Sequence, residues 1–168
     1  MISFVGYLVI CWIVADFISG FFHWLEDRYI SDDLPILGNY IGKPNSQHHL
    51  FPSKFLENSY IGKNLITMCL ALPVFVLLLP SKWSLIFLIL SQANEIHSWS
   101  HQKCNIFIRT FQQTGILQSP KEHGTHHKAP FDVRYCVISN WVNPILDNLK
   151  FWSGLEFIIE KTLRIKTK

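Results

Sequence analysis

Residues 1–25 read MISFVGYLVICWIVADFISGFFHWL, an apolar run in which only Asp16 and His23 are ionisable. About 20 mostly apolar residues cross a bilayer core, so this stretch reads as a first transmembrane helix. It has no basic leading region and no small-residue cleavage site, which favours a retained helix over a signal peptide. At about 100° per residue, Asp16, Gly20, His23 and Asp27 fall within about 60° of arc. One narrow polar stripe therefore runs down an apolar helix. Ionisable residues are costly in such a helix and usually mark function.

Working outward, a second apolar run covers Leu65 to Leu79, Pro80-Ser81-Lys82 makes a break, and a third run covers Trp83 to about Ile96. Each is short for a span, so a thin or tilted hairpin is expected, and Pro73 is tolerable inside it. If the turn of this hairpin lies on one side of a membrane, the loop from Glu26 to Lys63 and everything after His101 lie on the other. Of the 15 Lys and Arg residues, 14 fall on that side and only Lys82 sits in the turn. The positive-inside rule makes that side cytoplasmic. The tail from Trp141 to Leu163 mixes aromatic and aliphatic residues with charges and reads as an interfacial helix starting at Asn143-Pro144.

The expected fold is thus an all-α integral membrane protein. About three transmembrane helices, with cytoplasmic and interfacial helices, form a single domain over residues 1–168 that carries a histidine cluster. Composition agrees: 49% of residues are apolar and only 16% charged, where a soluble domain carries about a quarter charged. The net charge of +3 is mild and unclustered, which argues against nucleic acid as a partner. Cys11, Cys69, Cys104 and Cys136 are far apart with no C-x-x-C pair, so neither a disulfide framework nor a thiolate zinc site is expected.

The eight histidines are His23, His48, His49, His97, His101, His123, His126 and His127. A topology argued from charge alone puts all eight on one side. His97 and His101 are four apart on one helix face, a metal-ligand spacing, although alone such a pair also suits an interfacial helix. His123, His126 and His127 form H-x-x-H-H after Ser119-Pro120-Lys121-Glu122, which reads as a capping box with proline at the first helical position. His48 and His49 are adjacent and cannot share a face, so they should point to different metals, or to one metal and a carboxylate. All eight are candidate metal ligands.

Seven or eight imidazoles exceed the roughly three protein ligands of a catalytic zinc and match two metals with open positions. Imidazole suits several metals; beside a membrane, two irons could activate dioxygen and remove hydrogen from a lipid chain. A ligating imidazole usually gives its other N–H to a carboxylate or carbonyl. The candidates for that supporting role are Asp16, Asp27, Asn94, Asn143 and Asp147. Asp132 is a further one, and for Asp132 and Asp147 a turn or helix-start role fits equally.

These residues carry a resemblance. Asp16, Gly20, His23, Trp24 and Asp27 resemble the opening motif of the Kua/CarF-type lipid desaturases. His48-His49 with Pro52 resembles their second motif, and Asn94 to His101 (NEIHSWSH) their N-Q-x-H-x-W-x-H motif. His123, His126, His127, Pro130, Tyr135-Cys136, Asn140-Trp141, Asn143, Leu146 and Asp147 resemble their final block. Two positions depart: Glu95 stands where the family usually has Gln, and Phe51 stands where the plasmalogen branch tends to have Asp.

The resemblance implies two iron ions, dioxygen as co-substrate, an external donor such as a cytochrome b5 or ferredoxin, and desaturation of a phospholipid-bound chain. In the plasmanylethanolamine branch the product is a vinyl ether, a plasmalogen. An acyl-lipid desaturase or a lipid hydroxylase could use the same histidines. A membrane zinc hydrolase and a metal transporter are more distant readings, and transporters usually carry inverted repeats, of which none is visible.

Overall fold

The computed structural model describes residues 2–168 and is helical throughout, with no strand among them. Helix α1 spans Phe4–Tyr29. It is followed by a π-helical turn over Gly38–Gly42, α2 (Lys43–Leu50), a 3-10 turn over Pro52–Glu57 and α3 (Tyr60–Leu77). Then come α4 (Leu85–Leu90), α5 (Ala93–Trp99), α6 (Ile106–Gln113), α7 (Pro120–His126), α8 (Val142–Asn148) and α9 (Phe151–Leu163).

The long helices start where short polar side chains cap them. Ser3 Oγ accepts from Gly6 N and Ser59 Oγ from Gly62 N, both at 3.1 Å, satisfying amides that no helical carbonyl can reach. Two helices, α1 and α3, are long and apolar enough to cross a membrane. The third expected span is divided: α4 ends at Ser91, whose hydroxyl donates to the Leu88 carbonyl (2.7 Å), and α5 restarts at Ala93. The restart is cross-linked to α3, since Asn64 Oδ1 accepts from Glu95 N (3.0 Å) and Asn94 Nδ2 donates to Lys63 O (2.8 Å). α3 continues through Pro73.

The expected tail helix is also two pieces. α8 begins at Val142, two residues earlier than the Asn143-Pro144 signal suggests, and Lys150 takes a left-handed conformation between α8 and α9. Leu146 and Trp152 turn inward while Ile145, Leu149 and Phe157 are exposed. α6 was not expected; it is capped by Asn105 and exposes Ile106, Phe107 and Phe111.

One apolar core, with Cys11, Ala15, Ala71, Ile86, Leu90, Ile96 and Ile138, sits where α1 and α3 pack on α4 and α3 on α5. A second, with Trp24, Tyr135, Leu146 and Trp152, lies between α1 and α8–α9. Arg28 and Trp24 tie α1 to α9 through Glu156, with Arg28 Nε donating to Oε1 at 2.7 Å and Trp24 Nε1 at 3.1 Å. The outer faces are themselves apolar: Phe4, Val5, Leu70, Val76 and Leu77 are exposed. Soluble surfaces rarely carry apolar patches of that extent.

Candidate metal centre

Four helices bring the histidines together. α1 supplies His23 and Asp27, α2 supplies His48 and His49, and α5 supplies His97, with His101 just beyond it. α7 supplies His123 and His126, with His127 at its end. The α7 start follows the sequence: Ser119 Oγ accepts from Glu122 N (3.3 Å). Only half of the expected box forms, however. Ser119 N donates to Asn140 Oδ1 (2.9 Å), and the Glu122 carboxylate faces Arg134 at 3.3 Å instead.

The donors converge in two groups. His48, His97, His101, His123 and His127 form one, and His23, Asp27, His49 and His126 the other; within each group one ligand atom per residue lies within 4.8 Å of all the rest. The adjacent pair therefore splits, with His48 in one group and His49 in the other. The groups abut, the His49 and His127 rings being 5.1 Å apart between centroids and His23 and His97 5.6 Å.

Hydrogen bonding cannot account for the first group. His97 Nε2 stands 3.1 Å from His48 Nε2, 2.8 Å from His123 Nε2 and 3.2 Å from His101 Nε2, and His127 Nε2 stands 2.9 Å from His123 Nε2. A neutral imidazole nitrogen carries either one N–H or one lone pair, so His97 Nε2 can make a full hydrogen bond with only one of its three neighbours. Nitrogens bound to one ion at about 2.1 Å lie about 3 Å apart when adjacent. The cluster has that spacing. In the second group His23 Nε2, His126 Nε2 and Asp27 Oδ2 are buried and lack a hydrogen-bond partner. The donor set fits metal ions.

Electrostatics agree. Burial first, then repulsion from neighbouring imidazoles, pushes His101 down to about 4 and His127 to about 3, and holds His48 and His123 well below the ordinary histidine value. These rings are neutral at pH 7, the form in which nitrogen binds metal.

Supporting contacts come mostly from backbone. His23 Nδ1 lies 3.0 Å from the Tyr135 carbonyl and His126 Nδ1 2.8 Å from the Val133 carbonyl. This fixes both rings with Nε2 inward. Of the residues expected behind the ligands, Asp27 stands among the ligand atoms themselves. Asp16 touches no imidazole; its carboxylate accepts from Ile138 N (2.8 Å) and Ser139 Oγ (2.6 Å). Asn143 accepts from Cys136 N (2.9 Å) and donates to Cys136 O (2.7 Å). Asp16 and Asn143 thus hold the 135–139 strap whose first carbonyl orients His23. Asn94 serves α3 as described above, and Asp147 faces Arg134 Nε at 3.1 Å. Asp132 is exposed and outside both groups. The Tyr135 and Val133 carbonyls could not be read from the sequence, because any residue carries one.

A cavity of about 290 Å³ reaches the centre, with His23, His48 and His97 in its wall. Glu26, Tyr40, Asn45 and Asn58 line it on the loop side, and Leu70, Leu90 and Val137 on the helix side.

Fold and site together define a helical protein with a histidine-rich centre that could hold metal ions. The lipid desaturase domain family matches residues 12–168, and the chain belongs to that family; it is an oxidoreductase. A probable fatty acid desaturase of Acanthamoeba polyphaga mimivirus is 29% identical over 96% of this chain and 84% of its own. The plasmanylethanolamine desaturase of Myxococcus xanthus is 28% identical, over 88% of this chain and 57% of its own. Plasmanylethanolamine desaturase 1 of Mus musculus is 30% identical, over 88% and 62%. The chain thus spans less than two thirds of both plasmanylethanolamine desaturases. No solved structure matches it. The resemblance drawn from the motifs is borne out at the level of family.

Proposed function

We propose that this chain is an integral membrane, di-iron, dioxygen-dependent desaturase. In this reading it converts the alkyl chain of plasmanylethanolamine to the vinyl ether of plasmenylethanolamine. The observation that carries the reading is the pair of abutting donor groups, one with its Nε2 atoms crowded around His97 and His123, the other with His23 Nε2, His126 Nε2 and Asp27 Oδ2 buried and without hydrogen-bond partners. His48, His97, His101, His123 and His127 would hold one iron; His23, Asp27, His49 and His126 would hold the other. The iron pair, when bound, supplies the redox chemistry that couples dioxygen reduction to removal of two hydrogens.

Overall, a CH2–CH2 unit, dioxygen, two electrons and two protons give CH=CH and two waters. Two electrons therefore come from outside, from a one-electron carrier of the cytochrome b5 or ferredoxin class. The residues of the chain position and exclude. The Tyr135 and Val133 carbonyls fix two imidazoles, and Leu70, Leu90 and Val137 form an apolar wall for a lipid chain beside His23, His48 and His97. The apolar outer faces of α1 and α3 support burial in a bilayer, and the skew of Lys and Arg supports a cytoplasmic centre. A second reading, desaturation of an acyl chain, is favoured by the mimivirus relative's name and by a 30% identical chloroplastic fatty acid desaturase 4-like protein of Arabidopsis thaliana.

The test is expression in cells that hold alkyl-ether phosphatidylethanolamine but lack the vinyl ether, with lipid mass spectrometry and His126→Ala alongside. New acid-labile species lighter by two hydrogens, absent in the variant, are expected. Loss of two hydrogens from acyl chains alone selects the second reading. A gain of one oxygen, or no lipid change from a folded, iron-loaded and reduced protein, overturns desaturation.

A further inference from the structure

Trp24 follows His23 in the opening motif, yet it belongs to neither donor group. It is fully buried, as is Tyr135, and Trp152 is 3% exposed. These three rings form a continuous file that starts at the metal centre. The Tyr135 ring lies 5.2 Å from the His126 ring and 6.0 Å from the His23 ring, centroid to centroid. Trp152 lies 5.1 Å beyond Tyr135, and Trp24 stacks on Trp152 at 5.8 Å with 27° between the planes. Tyr29, half-buried at the end of α1, lies 5.2 Å beyond Trp24. The file thus leads from two donors of the second group to the edge where α1 meets α9.

Packing alone asks only for rings of suitable shape; the chemistry of these rings is more particular. Phe55 lies 5.1 Å from His48 and Phe131 5.0 Å from His49. Phenylalanine is hard to oxidise, whereas tyrosine and tryptophan give up an electron far more readily. Among the described residues, Tyr135 is the one tyrosine or tryptophan ring packed against an imidazole. The Tyr135 hydroxyl and Trp152 Nε1 are buried without hydrogen-bond partners, and groups left so call for a reason. Neither has an acceptor for its proton. Trp24 does, because Nε1 donates to Glu156 Oε1 at 3.1 Å. An electron vacancy therefore settles on Trp24, with Tyr135 and Trp152 as the bridge to it.

We propose that Tyr135, Trp152 and Trp24 form a one-electron relay that drains oxidising equivalents from the metal centre when dioxygen is reduced there with no lipid chain in place. This rests on the di-iron reading given above and adds a protective function to that site. Reduction of dioxygen to two waters takes four electrons and four protons. In desaturation the lipid supplies two of each and the external carrier the other two electrons. Without the lipid, two electrons are missing. Trp24 supplies them one at a time. An electron passes through Trp152 and Tyr135 to the centre, the indole N–H bond breaks, and its proton goes to the Glu156 carboxylate, leaving a neutral Trp24 radical. A one-electron carrier of the class named above then reduces that radical, and the proton returns from Glu156 to Nε1. Two such turns make up the deficit, with solvent supplying the two protons used at the centre. The carrier is oxidised in place of the imidazoles, a side reaction the site thereby avoids.

Spectroscopy and residue mapping test this apart from turnover. The iron-loaded full chain in detergent micelles is reduced, freed of reductant and exposed to dioxygen without lipid substrate. One sample is frozen for electron paramagnetic resonance, and a second is digested and mapped for oxygen adducts by mass spectrometry. Wild type is expected to give a tryptophan radical whose line shape narrows when the indoles are deuterated. Adducts at the buried Trp24 and Trp152 should exceed those at Trp83 and Trp141, each 37% exposed; an oxidant diffusing in from solvent gives the opposite order. Trp24→Phe and Trp152→Phe should each lose the radical, move adducts to Tyr135, His23 and His126, and speed iron loss over repeated oxygen exposures. Trp83→Phe should keep the radical. Dioxygen uptake with no tryptophan radical overturns the proposal, as does a radical that survives in both Trp24→Phe and Trp152→Phe, or an adduct map led by Trp83 and Trp141. If those two variants fail to fold, the wild-type map decides alone. No dioxygen uptake by the iron-loaded, reduced wild type sinks the desaturase reading and the relay with it, whereas uptake without buried oxidation sinks the relay only.

Discussion

Asp27 Oδ2 of α1 stands 3.2 Å from His126 Nε2 of α7 with no hydrogen bond between them. Its other oxygen is occupied: Asn45 Nδ2 donates to Oδ1 at 2.5 Å, and His49 Nε2 lies 3.0 Å from it. One carboxylate oxygen is thus anchored and the other left open among imidazole nitrogens. Removing the carboxylate should weaken one metal position and leave the five-histidine position in place. Asp27→Ala is expected to lower metal affinity at that position at least about ten-fold, with Asp27→Asn closer to wild type. Metal titration monitored by retained metal per chain checks this. Equal affinity in Asp27→Ala would return Asp27 to a purely supporting role.

Gly20 is where α1 meets the 135–139 strap. A Cβ there would sit 2.5 Å from Cys136 Sγ and 2.9 Å from Cys136 N, and the backbone contact cannot turn aside as a flexible side chain can. Gly20→Ala is therefore expected to destabilise the fold by about 1–3 kcal/mol, as overpacking does. Thermal unfolding in detergent checks this. A helix-propensity gain, with a raised Tm, would show that the strap moves freely.

Asp16 holds the same strap. Asp16→Ala leaves the buried Ile138 N–H without its acceptor, a loss of about 1–3 kcal/mol. Because the strap carries the Tyr135 carbonyl that orients His23, metal retention should fall alongside stability. Asp16→Asn keeps one oxygen acceptor and should recover much of both. Parallel melting curves and metal analysis decide it; lost stability with full metal retention would detach the strap from the centre.

Much of this was legible beforehand. The α1 stripe placed Gly20, His23 and Asp27 on one face, and the His48-His49 adjacency implied that the two rings diverge, as their separate groups show. What was not legible came from tertiary contacts. The sequence could not say that Asp16 is consumed by Ile138 and Ser139, since the strap is 122 residues away from Asp16 along the chain. Asp27 was expected behind the ligands because it is a carboxylate near a histidine; its place among them depends on α2 and α7 arriving from elsewhere. The third apolar run looked continuous, yet it breaks at Ser91, where side-chain bonds from α3 compete with helix propagation. α6 was missed because eight residues are too few for apolar periodicity to stand out.

The central claim is two separate metal positions on one chain, and iron stoichiometry tests it most directly. Protein purified after iron loading should hold two irons per folded chain by elemental analysis. His48→Ala and His49→Ala, adjacent in sequence but placed in different donor groups, should each fall to about one. One metal in wild type, or zinc in place of iron, would contradict the account, as would a single variant that empties both positions while the other empties neither.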